Sequence, residues 1–247
     1  MNRNFTAICA TFLTLAILIA FLGGISINGN GAAFASSRSV YDTAVDSVDG
    51  GNDGRVTNKV IYLTFDDGPS DRVTPKILDV LKEEKVPATF FIIGKHAETR
   101  KYLLRREINE GHTVAVHSYS HIYNDIYSSP EKLIEDIDKC NEVIKGATGR
   151  PSAIYRFPGG SFGLSQRLIN AVTEHGLRYV DWNASTRDAE FTDPTPEQIV
   201  SASITTAANP ERIVLLAHDS TTKTATAQAL KGIIRHYKEL NYTFASF

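Results

Sequence analysis

From Lys59 to the C-terminus, short runs of β-branched and aromatic residues alternate with amphipathic stretches. This alternation is typical of successive β-α units around a parallel sheet or barrel. Seven such runs are long enough to predict strands over about 190 residues, which is short for a complete eightfold barrel. We therefore predict an α/β fold, a distorted, incomplete (β/α) barrel of about seven parallel strands. The predicted strands are Val60–Phe65, Ala88–Ile93, Thr113–His117, Ala153–Phe157, Arg178–Asp181, Ile213–His218 and Thr243–Phe247.

Proline and glycine mark where the intervening helices start and stop. Thr74-Pro75, Ser129-Pro130 and Thr195-Pro196 each place a capping hydroxyl before a proline suited to a first helical turn. Glycines at 111, 146 and 176 stand where helices are expected to end.

The first 57 residues of the chain differ from the rest. Arg3 precedes an uncharged apolar run, Phe5 to Gly23, and Ala33-Phe34-Ala35 offers a small-x-small cleavage site. The run is close to the roughly 20 residues that span a bilayer, so residues 1–35 are either a cleavable signal peptide or an N-terminal membrane anchor. Residues 36–57 are polar and rich in Gly and Asp, which predicts a flexible linker to one domain at 58–247. Both alternatives place the domain outside the cytoplasmic membrane, secreted or anchored to its outer face.

The charge of the chain argues against one class of partner, and its cysteine content argues against a disulfide within the domain. The formal charge is -2, from 26 basic and 28 acidic residues, so a polyanion such as nucleic acid is not expected as a partner. Protein partners cannot be inferred. Cys9 lies in the apolar run, and Cys140, which falls at helical spacing among Leu133, Ile137 and Ile144, is predicted to be a buried core thiol.

The unusual polar residues gather where predicted strands end. In parallel α/β folds these ends share one face, on which active sites are built. Residues distant in sequence are therefore expected to converge there: Asp66, Asp67, His117, Arg156, Asp181 and His218.

Two of these strand ends offer metal ligands. In Thr64-Phe65-Asp66-Asp67-Gly68-Pro69, adjacent carboxylates repel each other, so one is expected to hold a cation while the other serves as a base; Asx-turn capping is the alternative. In His117-Ser118-Tyr119-Ser120-His121, the i,i+4 spacing places both imidazoles on one face of a helical turn. With one Asp carboxylate they form a two-His, one-carboxylate set that leaves positions open for water and substrate. Hydrogen-bonded surface histidines are the alternative.

The remaining strand ends offer an arginine and an acid. Arg156 stands before the small-residue turn Pro158-Gly159-Gly160, where it either orients a carboxylate base or makes a structural salt bridge. His218 ends a strongly apolar run, and Asp181 precedes the chain's only tryptophan, Trp182. A His–Asp pair predicts a general acid; the alternative is that His218 closes a core strand and Trp182 packs on the barrel, and for Trp182 packing is compatible with a functional role.

The ordered motifs TFDDGP, HSYSH, RFPGG, DW and LLAH resemble those of the polysaccharide deacetylase (NodB-homology) family, carbohydrate esterase family four. The resemblance spans about residues 58–247. It implies a distorted (β/α) barrel with one divalent metal ion, zinc in the first place and cobalt or manganese as alternatives. The RFPGG motif lacks the double proline common in the family, and DW keeps only the core of the fourth motif.

The resemblance also implies a role for each motif residue. It makes Asp66 the general base that activates the attacking water, and it makes Asp67, His117 and His121 the metal ligands. Arg156 would orient Asp66, and His218, supported by Asp181, would protonate the departing amine. Substrate-binding residues complete the set: the backbone N–H near Gly159 at the oxyanion, and Trp182 with Leu216 around the acetyl methyl group.

The expected substrate is an N-acetylated cell-envelope polysaccharide. Peptidoglycan N-acetylglucosamine is preferred because the domain is predicted to be exported on a short tether. The membrane itself is a partner only if the N-terminal segment is uncleaved. N-acetylmuramic acid, chitin oligomers or an exopolysaccharide, O-acetyl groups of xylan, and a catalytically inactive glycan-binding protein are the alternatives.

Overall fold

The computed structural model describes residues 59–247, which hold eight strands and eight helices. The strands are β1 (Val60–Gly68), β2 (Thr89–Ile93), β3 (Thr113–Ser118), β4 (Ile154–Tyr155), β5 (Arg178–Tyr179), β6 (Ala184–Ser185), β7 (Arg212–His218) and β8 (Thr243–Ala245). The helices are α1 (Thr74–Glu84), α2 (Gly94–Ala97), α3 (Lys101–Asn109), α4 (Tyr123–Ile126), α5 (Pro130–Thr148), α6 (Gln166–Glu174), α7 (Pro196–Thr205) and α8 (Thr224–Glu239).

All strand pairs are parallel, in the order β5-β4-β3-β2-β1-β7-β6, with β8 paired to the first half of β1. Each of the seven predicted strands has a counterpart, and the predicted incomplete barrel is confirmed. The fourth and fifth predicted strands, observed as β4 and β5, are only two residues long. The two-residue β6 was not predicted, because no apolar run marks it in the sequence. Strand length therefore falls from the centre of the sheet towards its two edges.

The two edge strands, β5 and β6, are consecutive in the chain. Only residues 180–183 join them, and a segment of this length spans at most about 18 Å. Since β5 and β6 lie at opposite ends of the strand order, the sheet must curl until its edges almost meet. We call residues 180–183 the seam, because this segment connects the two edge strands, β5 and β6, which are not hydrogen-bonded to each other.

The curled sheet separates two apolar clusters. Tyr62, Phe91, Ala115, Val180 and Val214 point into the barrel, whereas the larger cluster, which includes Phe65, Phe90 and Ile92, fills the space between sheet and helices. Side chains alternate along a strand, so Thr64 and Asp66 point the same way as Tyr62. Along β1 the barrel interior thus changes from apolar at the base to acidic at the upper end.

Two of the three predicted helix caps are confirmed. Ser129 accepts a hydrogen bond from Lys132 N, and Thr195 forms a capping box with Gln198. The predicted cap at Thr74 is wrong: α1 begins at Thr74 itself, and its hydroxyl instead accepts from Ser70 N and donates to the Asp219 carboxylate. Gly146 does not end a helix either. It lies within α5, which is followed by the C-cap residue Gly149 in the left-handed conformation.

Cys140 is fully buried and donates to the Ile92 carbonyl oxygen, as predicted for a core thiol. The signal peptide or anchor predicted at 1–35, the linker at 36–57 and Cys9 lie outside the described residues. Within residues 59–247, none of the helices combines the length and apolar character that a bilayer crossing requires.

Gly68 and Gly146 give a matched pair of stability predictions. A methyl group added at Gly68 would overlap the buried Asp219 carboxylate, so Gly68→Ala should lower the free energy of unfolding by about 1–3 kcal/mol. Gly146→Ala, whose nearest neighbour is the Lys101 Nζ at 3.5 Å, should raise it by up to about 1 kcal/mol through helix propensity. Urea unfolding of both variants tests this. Wild-type stability of Gly68→Ala would show that the turn after β1 does not pack on Asp219.

Candidate active site

The ends of β1, β3 and β7 and the loops after β4 and β6 surround a cavity of about 200 Å³. Its lining includes most of the residues that the sequence singled out: Asp66, Asp67, His117, His121, Gly159, Trp182, Leu216 and His218. Arg156 and Asp181 do not line the cavity. Arg156 bonds the lining residue Asp66, and Asp181 bonds Ser161 in the loop that contains Gly159. Tyr123, Ser185, Arg187, Asp188, Ala189 and Glu190 complete the wall.

A β-bulge brings both aspartates of β1 towards this cavity. Adjacent side chains on a regular strand point to opposite faces, but the register with β2 shifts between Asp66 and Gly68. Asp67 adopts φ 71°, a left-handed conformation that Asp tolerates better than most residues. The His117 Nε2 consequently lies 3.9 Å from one Asp66 oxygen and 3.4 Å from the Asp67 Oδ1.

Asp67, His117 and His121 offer three ligand atoms that all lie within 4.8 Å of one another. The His121 Nε2 is 3.3 Å from the Asp67 Oδ1, an oxygen that is buried without a hydrogen-bond partner. His117 Nδ1 bonds the Arg156 carbonyl oxygen at 2.8 Å, which requires the proton on Nδ1 and leaves the Nε2 lone pair aimed at the cluster. An orphaned carboxylate oxygen beside two imidazoles fits a divalent metal ion such as zinc.

The predicted helical turn at 117–121 is wrong. His117 is in β3, and His121 follows in a loop with φ 58°, so the two rings converge from a strand end and a turn. Asp136 of α5 accepts hydrogen bonds from the Ser118 hydroxyl and from the backbone N–H groups of Tyr119 and Ser120. An acidic residue 15 positions beyond His121 thus fixes the loop that carries it.

The pKa values of the three ligand groups reflect their mutual contact. Burial alone would raise the pKa of Asp67, but the close contact and charge of His117, with the charges of His218 and His121, hold it well below its usual value. Burial opposes charge on His117 as well, yet Asp66 and Asp67 raise its pKa. Burial and the neighbouring His117 lower the pKa of His121. Asp67 is therefore an anion, ready to bind a cation.

Arg156 is fully buried, and its guanidinium is held on every side. One Nη donates to Asp66 Oδ1 and to the Thr64 hydroxyl, each at 2.8 Å. The other two nitrogens donate to the carbonyl oxygens of Val180 and Asp181 in the seam, and the plane lies 4.0 Å from the centre of the Phe91 ring. Arg156 therefore orients Asp66 and also satisfies seam carbonyls that have no strand partner.

The predicted pairing of Asp181 with His218 is wrong. Asp188, which follows β6, accepts from His218 Nδ1 at 2.7 Å and from the His218 backbone N–H at 2.9 Å. Thr226 also donates to Asp188. Burial disfavours charge on His218, but the hydrogen bond and charge of Asp188, aided by Asp66 and Asp67, raise the pKa of His218 to about 9.

Asp181 has a different position from the predicted one. It accepts from the Ser161 backbone N–H at 2.9 Å and from the Ser161 hydroxyl, so it ties the seam to the loop that contains Gly159. Only a short stretch, Asn183 to Arg187, separates Trp182 from Asp188, the residue that does pair with His218. Asp181 is distinctive in the sequence because it precedes the tryptophan, whereas Asp188 lies in a polar segment without a strand pattern.

Sequence reasoning also missed two neighbours of the ligand cluster. His96 of α2 bonds the Asp67 carbonyl oxygen through Nδ1 at 3.0 Å. Tyr123 packs against His121, with ring centres 5.3 Å apart, and forms part of the cavity wall. The position of Tyr123 two residues after His121 was the only available signal.

Residues 53–180 match the family model described as "Polysaccharide deacetylase". The chain belongs to the polysaccharide deacetylase family. A polysaccharide deacetylase is a hydrolase, and an N-deacetylase of this kind cleaves a carbon–nitrogen bond. The catalytic domain of a peptidoglycan N-acetylglucosamine deacetylase from Eubacterium rectale superposes with a TM-score of 0.71 at 38% identity, covering 83% of this chain and 93% of that structure.

Two curated polysaccharide deacetylases are similar in sequence. A chitooligosaccharide deacetylase from Rhizobium leguminosarum bv. trifolii is 40% identical over 185 residues, covering 74% of this chain and 80% of the relative. A peptidoglycan-N-acetylglucosamine deacetylase from Bacillus cereus is 32% identical over 194 residues, covering 76% of this chain and 69% of the relative.

The His218–Asp188 pair predicts a pH-dependent difference in stability for the metal-free deacetylase. The pKa of His218 is raised from 6.5 to about 9, so the pair's contribution is full below pH 6.5 and is lost as the pH rises through about 9. The free energy of unfolding should therefore exceed that of Asp188→Asn most at pH 6, with the difference shrinking by pH 10. Urea unfolding in chelator measures it. A difference that stays constant over this range contradicts the pairing.

Proposed function

We propose that the chain hydrolyses the N-acetyl groups of N-acetylglucosamine residues in peptidoglycan, releasing acetate, on the outer side of the cytoplasmic membrane. The observation that carries this proposal is the convergence of three groups on one cavity: the Asp67, His117 and His121 cluster, the Asp66–Arg156 pair and the His218–Asp188 pair. The names of the Bacillus cereus and Eubacterium rectale relatives support peptidoglycan as the polymer.

Asp67, His117 and His121 are the proposed ligands of one divalent metal ion. Zinc is the preferred candidate, and cobalt and manganese are the alternatives. A metal bound there would supply Lewis-acid chemistry, which lowers the pKa of water and neutralises negative charge that develops on a carbonyl oxygen. The three ligands leave room for water and substrate, as is usual in catalytic rather than structural sites.

Asp66 is the proposed general base. Its Oδ1 is engaged by Arg156, while its Oδ2 lies on the side of His117 and the ligand cluster. This leaves Oδ2 free to take a proton from the water that attacks the acetamide carbonyl. The attack forms a carbon–oxygen bond, and the negative charge moves to the carbonyl oxygen, near which the backbone N–H at Gly159 is the proposed donor.

His218 is the proposed general acid. With a pKa of about 9 it carries a proton at neutral pH, and Asp188 holds Nδ1–H, so Nε2 is the nitrogen from which a proton can move to substrate. Protonation of the sugar nitrogen lets the carbon–nitrogen bond break, which leaves acetate and a free amine. Trp182 and Leu216 are proposed to surround the acetyl methyl group.

The second candidate substrate is a chitin oligomer. The 40% identical relative named a chitooligosaccharide deacetylase supports it, and the chemistry at the acetamide would be the same. The two substrates share N-acetylglucosamine and differ in the neighbouring sugar.

Metal binding is predicted independently of activity. Zinc added to chelator-treated protein should raise the melting temperature, because a ligand that binds only the folded state stabilises it. His121→Ala should reduce that increase strongly, and His175→Ala, which removes an exposed histidine bound to Asp138, should leave it unchanged. An equal increase in His121→Ala would place the metal elsewhere.

Activity is predicted on purified peptidoglycan. The zinc-loaded full chain should release acetate and expose free amines, and chelation should stop the release until zinc is restored. Asp66→Asn should lose at least about a hundredfold in rate, the size of a general-base contribution. Release from chitin oligomers alone would move the substrate. No release from either polymer or from acetylxylan would overturn the proposed hydrolysis in favour of glycan binding.

A further inference from the structure

Three exposed large apolar side chains lie on segments that contribute to the active-site cavity. Ile122, Tyr123 and Phe162 have exposed fractions of 51%, 46% and 66%, and elsewhere in residues 59–247 Tyr102 and Leu240 are exposed to a similar extent. Ile122 and Tyr123 follow the ligand His121, and Phe162 follows the Gly159–Ser161 loop. Apolar side chains that remain exposed together beside a cavity mark a surface that another molecule covers.

Phe162 is connected to the cavity through Trp182. The two rings meet edge to face, with centres 5.8 Å apart and planes at 77°. Trp182 lines the cavity, whereas Phe162 extends outward from it with two-thirds of its surface exposed. The aromatic surface therefore continues from the acetyl site onto the rim.

The glycine pair at 159–160 permits this arrangement. A Cβ at Gly160 would lie 2.8 Å from the Phe162 ring and 3.0 Å from Trp182, and a Cβ at Gly159 would lie 3.3 Å from Tyr123. Both glycines have φ near +80°, a conformation that other residues rarely adopt. A side chain at Gly160 would push the two rings out of contact, so the loop is built around the aromatic pair.

The charges around the rim are paired with each other. Arg187, on the cavity wall, bonds Glu190 at 2.8 Å, and its guanidinium also lies over the Phe191 ring. A rim made of aromatic rings and a neutralised ion pair suits an uncharged ring that has an apolar face and polar edges. The pyranose ring of a sugar has this character.

We propose that Phe162 and Trp182 form a stacking subsite for the pyranose ring next to the sugar whose acetamide enters the cavity. This inference rests on the proposed function, since it assigns to the same site the residues that recognise a polymer rather than a single sugar. Tyr123, which lines the cavity beside Gly159, is the third aromatic side chain at this rim. The subsite makes turnover depend on chain length.

Kinetics on N-acetylglucosamine oligomers test the subsite. For the zinc-loaded full chain, kcat/KM should rise from the dimer to the tetramer, and Phe162→Leu should reduce the tetramer-to-dimer ratio about tenfold, the scale of a lost aromatic contact. Phe162→Tyr keeps the ring and should retain the wild-type ratio. Tyr102→Leu, which removes an exposed tyrosine on α3 away from the cavity, is the matched control and should also retain it.

A binding measurement separates this inference from the proposed hydrolysis. Trp182 is the only tryptophan in the chain, so its fluorescence reports directly on the subsite. The glucosamine tetramer, which has no acetyl group to lose, should change that fluorescence with a Kd about tenfold weaker in Phe162→Leu than in wild type. If wild type hydrolyses nothing but shows this difference, only the hydrolysis proposal fails. Equal binding and an unchanged length ratio in Phe162→Leu would overturn the subsite.

Discussion

The barrel and its active site both depend on the buried guanidinium of Arg156. It bonds Asp66 and Thr64 on the central strand and two carbonyl oxygens of the seam, and it lies on the Phe91 ring of β2. A buried charge without partners costs several kcal/mol, and truncation of one partner of a buried pair typically costs about 3–5 kcal/mol. For the Val180 and Asp181 carbonyl oxygens, these donors take the place of a neighbouring strand. Closure of the fold and orientation of the proposed base are therefore one interaction.

The two cation–carboxylate pairs of the site show how the environment gives two similar carboxylates, Asp66 and Asp188, different roles. Asp66 is held by a permanent cation, Arg156, whereas Asp188 is held by a histidine that can give up its proton. Asp188 in turn raises the pKa of His218 above neutrality. The proposed base and the proposed acid, which carry opposite charges, then line one cavity together with Asp67, His117 and His121.

Much of the fold and the site could be predicted from the sequence, because the long central strands are strongly β-branched and polar residues at their ends stand out. Asp66, Asp67 and His117 belong to this class. The short strands were harder to predict: β4 and β5 were predicted longer than their two residues, and β6 was not predicted, since two-residue strands obtain their order from the barrel rather than from their own composition. Asp188 was missed for this reason, as it follows β6.

His121 and Thr74 show a second limit. The spacing of His121 from His117 fits a helix, but Asp136 on α5 supplies hydrogen bonds that hold a loop instead. Thr74 precedes a proline as a cap residue does, yet its hydroxyl bonds Asp219, which is 145 positions away in the chain. In both cases a polar contact from a distant segment overrides a local pattern, and no periodicity within the segment could reveal it.

Arg156 both holds the seam and bonds Asp66, and this limits how such a domain can evolve once catalysis is no longer selected. His218 or His121 can be replaced at the cavity without opening the barrel, because neither holds the seam. Arg156 and its partner Asp66 cannot drift so freely, since loss of either leaves the other charged and buried. In a descendant that only binds glycans, Asp66 and Arg156 would be retained because the fold needs them, whereas His117, His121 and His218, the proposed ligands and acid, would be the first to be replaced.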